Sequence, residues 1–244
     1  MNASTALVAC DVFQNELASL LAGGAGSPPS RVEWLEMGLH DHADRMKKAI
    51  QEAIDRIESD PAVTTILLAY GLCGNGVIGI RTRRCRLVLP RAHDCISVLF
   101  GDRSAYERYL AENPGVYFYS PGWIRGRRVP GPDRDASIRA HYQQRYPDDP
   151  EVVEDMIAAD RETYAHHGCA AYIDVTDDTT GEDYCRSCAR HLGWRFEKIR
   201  GDDRWLRTLL SGPWDSPHFV VLEAGRPTQL GPDGMLAASG EPTP

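Results

Sequence analysis

No stretch of this 244-residue chain approaches the roughly 20 consecutive apolar residues that a membrane helix requires, so no spanning helix is expected. The start, Met1-Asn-Ala-Ser-Thr, has no cationic segment, and the apolar run Ala6–Ala9 is too short for a leader, so a cytoplasmic location is expected. Positive charge is in deficit: Lys and Arg number 27 against 35 Asp and Glu, a net charge of −8. An acidic chain does not by default attract nucleic acid or an anionic membrane, so neither is an expected partner. Two local arginine clusters, Arg81-Thr-Arg-Arg84 and Arg125-Gly-Arg-Arg128, read as solvated loops before they read as phosphate or carboxylate sites. The chain also lacks a Gly-Lys-Ser/Thr sequence and a complete G-x-G-x-x-G, which removes the P-loop and the dinucleotide fingerprint. Paired CxxC motifs are missing. The single Cys185-Arg-Ser-Cys188 falls inside a helical pattern, where it reads as core.

What is present is the material of a folded α/β protein. Hydrophobic residues make up 42% and charged residues 25%, enough to bury a core as one domain over residues 1–226, or as two lobes of about 1–125 and 126–226. The Gly/Pro/Ser-rich segment 227–244 is expected to be loose. Strand signals alternate with helical ones. Ala6–Ala9, Val63–Ala69, Arg86–Leu89, Val116–Tyr119, Ala170–Asp174, Arg195–Ile199 and Phe219–Leu222 read as strands. Residues 31–59 hold apolar side chains at Leu35, Leu39, Met46, Ile50, Ile54 and Ile57, and read as one long helix ended by Asp60-Pro61. Cys95–Phe100, Ala105–Ala111, Ile138–His166, Glu182–Leu192 and Trp205–Leu210 are further helical stretches. Alternation of this kind predicts a mostly parallel sheet with helices on both faces, Rossmann-like and doubly wound. In such sheets ligands bind beyond the carboxyl ends of the strands.

That rule collects the chemistry-bearing residues. Cys10 ends the first strand, Cys73 follows the second, and Cys95 follows the third; Ser120–Trp123 follow the fourth. Strands lie ~4.8 Å apart, so cysteines at adjacent strand ends can converge on one metal. Seven cysteines, an odd number, fit thiols or metal ligands better than a disulfide framework. Cys10, Cys73 and Cys95 supply three sulfurs for zinc, with His40, His93 or water in the fourth position; His40 is the expected ligand of the pair His40 and His42. The same three thiolates suit a [4Fe-4S] cluster with one open iron. The plain alternative for any one of these cysteines is a small buried hydrophobe. Tyr70-Gly-Leu-Cys-Gly-Asn-Gly76 carries three glycines in seven residues. Gly71, Gly74 and Gly76 permit close backbone approach to a ligand, and Tyr70 and Asn75 are candidate substrate contacts; the competing reading is a tight turn. Pro90-Arg-Ala-His-Asp-Cys95 brings together Arg91 for an anion, His93 as base or ligand, and Asp94 as acid–base group or helix N-cap. Glu16 is a candidate acid or base, or a solvated helix residue. Trp123 is a candidate substrate contact.

The Cys10 strand end with Glu16, Leu39-His40, the Tyr70–Gly76 turn, Pro90–Cys95, Gly101 and Gly122-Trp123 resemble the uncharacterised prokaryotic family catalogued as domain of unknown function 1638. The likeness extends more weakly through Tyr172-Ile-Asp174 and Gly193-Trp194. The resemblance implies no activity of its own. It does imply a setting in corrinoid-linked one-carbon or methylamine metabolism, with a corrinoid protein as an expected partner. Cys85, Cys169 and the Cys185–Cys188 pair lie outside it.

The expectation is therefore a metal-dependent enzyme, zinc first and [4Fe-4S] second, acting on a small anionic or thiol- or methyl-bearing metabolite. A metal-free cysteine nucleophile with His93 as base is a further option, and so is a non-catalytic accessory or metabolite-binding protein. A homodimer is expected only as the commonest oligomer.

Overall fold

The computed structural model describes residues 4–127, 129–177 and 179–239. The leader reading at residues 1–3, Arg128 of the second arginine cluster, and residues 240–244 of the tail lie outside the described residues. The chain forms two compact units, Met1–Arg103 with Asp202–Pro244, and Ser104–Gly201.

The first unit is built on a five-stranded sheet in the order β2-β1-β3-β4-β8. Its strands are β1 (Ser4–Cys10), β2 (Arg31–Leu35), β3 (Val63–Ala69), β4 (Arg86–Pro90) and β8 (Phe219–Leu222). The first four are parallel, and β8 runs antiparallel to β4. In β3, Val63 and Ile66–Ala69 are buried, as its continuous apolar run requires of a central strand covered on both faces. On one face lies α2 (Ala43–Ile57), whose Met46, Ile50, Ala53, Ile54 and Ile57 form an apolar stripe at helical spacing, packed with Val8, Ile66 and Leu87. Also in this unit are α1 (Gln14–Ala22), α3 (Cys95–Phe100) and α9 (Arg204–Ser211). The last packs against β3 and β4 with Trp205, Leu206, Leu209 and Leu210 buried.

Two readings of this unit change. The single helix expected over residues 31–59 is a strand followed by a helix. Arg31–Leu35 pairs in parallel with Ala6–Cys10, Gly38 turns the chain at φ 91°, and Leu39–Asp41 makes a 3-10 turn before α2 begins. Leu35 and Leu39 are four apart by coincidence, and a half-exposed edge strand gives only weak alternation. Within the segment expected to be loose, β9 (Thr228–Leu230) and β10 (Leu236–Ala238) form a hairpin. Leu236 and Ala238 are buried in the same core as α2, and Thr228 ties the hairpin to residues 77–80, with Ile80 N–H donating to its Oγ1 at 3.0 Å.

The second unit has a parallel sheet in the order β5-β6-β7, made of β5 (Val116–Tyr119), β6 (Cys169–Asp174) and β7 (Arg195–Arg200). It also holds most of α4 (Arg103–Glu112), with α5 (Pro121–Arg125), α6 (Pro132–Arg145), α7 (Pro150–Glu162) and α8 (Thr179–Leu192). Cys185 and Cys188 are fully buried on α8, packed with Tyr119 and Tyr172, so this CxxC serves as core. The fourth sequence strand therefore belongs to a separate sheet, and Ser120–Trp123 do not extend the row of strand ends that carries the cysteines. No helix among the described residues is long and apolar enough to cross a membrane.

Candidate functional site

The strand order of the first unit reverses direction between β1 and β3: the chain moves from β1 to β2 on one side, then returns to β3 and β4 on the other. This is the topological switch point of a doubly wound sheet, the position at which ligands bind in folds of this kind. Ala9 pairs with Ala69, the last residue of β3, and Tyr70 turns out of the strand with its N–H on Leu68 O at 3.0 Å. Tyr70 opens the glycine-rich turn.

That turn is laced to the segment after β4. Leu72 N–H donates to Ala92 O at 2.8 Å, and Cys73 N–H to His93 O at 2.9 Å. Gly71 makes the approach possible: a Cβ there would stand 2.8 Å from Asp94 Cα and N. Three consecutive residues, Cys73, Gly74 and Asn75, then take left-handed conformations at φ 46°, 66° and 70°. For Cys73 this costs of order 1–2 kcal/mol, and strain of that kind persists only where the surroundings over-determine it. Gly76 N–H returns to Cys73 O at 3.4 Å, and a Cβ on Gly76 would strike Met46 Sδ at 2.7 Å. Three amides of the turn are thus spent within the protein, which leaves little of the expected anion cradle.

Cys73 is the electrostatic centre. Burial, with the charges of Asp94 and Cys10 adding to it, pushes its thiol up to about 12, while amide hydrogen bonds from Gly71 and Cys95 act the other way. Tyr70 is 3% exposed, and its hydroxyl has no hydrogen-bond partner. Burial foremost, then the charges of Cys10, Cys73 and Cys95, hold that phenol well above its ordinary range. Cys10 is the sulfur that reaches toward the hydroxyl, without the geometry of a full hydrogen bond. The cysteines that follow three strands thus all act electrostatically on one buried phenol. Among the described residues, no three His, Cys, Asp or Glu side chains stand close enough together to form a ready metal cage.

The remaining sequence candidates are distributed as follows. Asp94 is the N-cap of α3 in a full capping box, accepting Ser97 N–H at 2.8 Å through Oδ1, while its Oδ2 meets His93 Nδ1 at 3.0 Å. His93 is two-thirds exposed, and His40 Nε2 stands 3.4 Å from Asp41 Oδ1. The His40 backbone carbonyl, by contrast, lies beside Gly74. Glu16 is 1% exposed in the first turn of α1, not a solvated helix residue. Arg91 does not present its charge to the cysteines as an open anion site: its Nε donates to Leu236 O at 2.8 Å and its terminal nitrogen meets Asp233 at 2.8 Å. Asp233 lies between the two hairpin strands, and the sequence signal that could have found it is Asp233-Gly234, a hairpin turn between Thr228-Gln-Leu and Leu-Ala-Ala. Trp123 lies in the second unit, packed against its own core. Of the first arginine cluster, Arg84 binds the carbonyls of Val63 and Glu58, and Arg83 pairs with Asp55, so it serves structure. A groove of 650 Å³ runs along β8, lined by Arg86, Arg91, Trp214 and Phe219–Val221, one strand beyond the cysteine-bearing ends.

The family described as "Protein of unknown function (DUF1638)" matches residues 34–210. The match takes in Tyr70, Cys73, Asp94 and Cys95, and begins after Cys10 and Glu16. No curated protein matches, and no solved structure matches.

Proposed function

Because the chain belongs to the DUF1638 family, whose description names no activity, we propose a function from the site itself: a metal-dependent enzyme whose ion, zinc first, is held by the thiolates of Cys10, Cys73 and Cys95. One observation carries this reading. The cysteines that follow three parallel strands all act electrostatically on a single buried phenol that follows β3, and one of them, Cys73, is held in a strained conformation. Two amides donate to the Cys73 sulfur, the kind of outer contact that orients a thiolate ligand. Zinc held by these residues would need the three sulfurs at ~2.3 Å from the ion.

Three thiolates around zinc leave a fourth position for substrate. An ion so placed binds a substrate thiol as its thiolate, or polarises a carbonyl. A thiol- or methyl-bearing small metabolite suits this site better than a strongly anionic one, because Arg91 is engaged by Asp233 and the leading charges on Cys73 are negative. The metal-free nucleophile reading is weaker, since a thiol held at about 12 is protonated at neutral pH.

The test is elemental analysis with a visible spectrum on protein purified without air. About one zinc per chain and no colour supports the thiolate–zinc enzyme. Several irons with a broad visible band move the centre to [4Fe-4S] on the same cysteines. No metal in the wild type, or unchanged metal content in a Cys73→Ser, Cys95→Ser double variant, overturns the reading and leaves an accessory or metabolite-binding protein.

A further inference from the structure

We infer that β8 is the edge through which this chain associates with a second copy of itself: the two β8 strands pair antiparallel about a two-fold axis at Val221, and the two five-stranded sheets become one sheet of ten strands.

Strand β8 ends its sheet, with β4 on one side and no strand on the other among the described residues. Sheet edges in folded proteins are blunted by charge, proline, bulges or a covering element. The opposite edge follows that practice: Glu33 within β2 holds both Arg31 and Arg56. β8 does not. Its residues are Phe-Val-Val-Leu, it pairs with β4 in unbroken register, and the 650 Å³ groove opens along it. One wall of the groove is fixed, because Trp214 Nε1 donates to Thr208 O at 2.9 Å and to Leu209 O at 3.1 Å.

The ladder decides which backbone groups face outward. Arg91 N–H donates to His218 O at 2.8 Å, and the register sets these two residues opposite each other. Hydrogen-bonded pairs alternate along an antiparallel ladder, so Val220 and Leu222 also bond to β4, while Phe219, Val221 and Glu223 turn their N–H and C=O outward. Pro90, which has no N–H, stands opposite Phe219, in a pair that exchanges no bonds. The outward groups complement themselves. With Val221 opposite Val221 of the second copy, each donates to the other, and Phe219 faces Glu223 of the second copy. Phe219 N–H is already held by Ser216 O at 3.2 Å, and Glu223 O already accepts Arg226 N–H at 3.2 Å. Those two groups are the donor and acceptor of one bond in such a pair. The groups left over, Phe219 O and Glu223 N–H, are the acceptor and donor of the other. Charge agrees with this register: Glu223 meets Phe219 and not a second Glu223, and the two Arg86–Glu223 pairs stand at opposite ends of the seam.

The experiment is sedimentation equilibrium of the full chain in reducing buffer, wild type against Val221→Pro and Val221→Lys, with circular dichroism of each. Proline at 221 removes only an outward N–H and leaves the β4 ladder whole, a place where edge strands accept it. Lysine there sets two like charges face to face on the axis. The wild type is expected to be a dimer. Each variant is expected to dimerise about 10-fold to 100-fold more weakly, with its far-ultraviolet spectrum unchanged. If Val221→Pro does not fold, Val221→Lys decides alone. A wild type that stays monomeric at its highest soluble concentration overturns the inference, and so does a dimer that the folded variants retain. A monomeric wild type that carries a peptide in native mass spectrometry, lost in the variants, gives the edge to a foreign strand and equally removes the second copy.

Discussion

Gly71→Ala tests the seam on which the site depends. The added Cβ would meet Asp94 Cα and N at 2.8 Å and Asp94 C at 2.9 Å. All three are backbone atoms, so no side chain can swing aside. Ordinary contact begins at 3.4 Å, and the turn and the 91–94 segment must part by about 0.6 Å. Two hydrogen bonds lie next to that contact, Leu72 N–H to Ala92 O at 2.8 Å and Cys73 N–H to His93 O at 2.9 Å. Overpacking of this kind costs about 1–3 kcal/mol, and stretching the two bonds adds about 1 kcal/mol. The expected loss is about 2–4 kcal/mol, or roughly 4–16 °C in Tm for a protein of this size. Gly168→Ala is the control: nothing lies within 4 Å of its Cβ position, and a change within about 0.5 kcal/mol is expected. Chemical denaturation followed by circular dichroism measures both. If Gly71→Ala is as mild as Gly168→Ala, the close approach does not hold the site and the account of the turn is refuted.

Further outcomes follow from the same geometry. Titrating zinc into metal-free protein at neutral pH should release protons, that of Cys73 among them, because burial holds this thiol at about 12; affinity should fall as pH falls, which calorimetry in buffers of different ionisation enthalpy would detect. Without metal, the raised Cys73 value makes the unfolded chain ionise first, so stability should be unaffected below pH 9.0 and decline between 9.0 and about 12; Cys73→Ser should flatten that alkaline decline in denaturant melts. Arg91→Ala should loosen the hairpin, seen as faster hydrogen exchange at Leu236–Ala238, with zinc affinity unchanged; a large loss of zinc affinity would give Arg91 a part in the site. Cys185→Ser should destabilise the second unit by about 1–3 kcal/mol through a buried hydroxyl, with metal content unaltered.

Much of the fold could be read from periodicity. Val63–Ala69 announces itself as a strand because a central strand buries neighbouring residues on both faces; the edge strands Val116–Tyr119 and Phe219–Leu222 show themselves as short runs rich in β-branched and aromatic residues. Cys95–Phe100 carries its own start signal in Asp94. β2 did not show itself, because an edge strand half open to solvent needs no strong pattern, and the true helix behind it lent its spacing to the residues in front. The hairpin at 228–238 was hidden in a Gly/Pro-rich segment whose few apolar residues gain meaning only from the core they enter.

The site divides in the same way. The sequence alone determines that Cys10, Cys73 and Cys95 follow strands, since chain connectivity fixes which residues stand at strand ends. Only the tertiary structure decides which of those ends are neighbours. It makes β1 and β3 neighbours through their parallel register, assigns Trp123 to a helix of the second unit, and gives Arg91 to a hairpin more than a hundred residues away. Strand pairing and ion pairing join residues remote in sequence, and their partners are chosen by burial and geometry that no local pattern encodes.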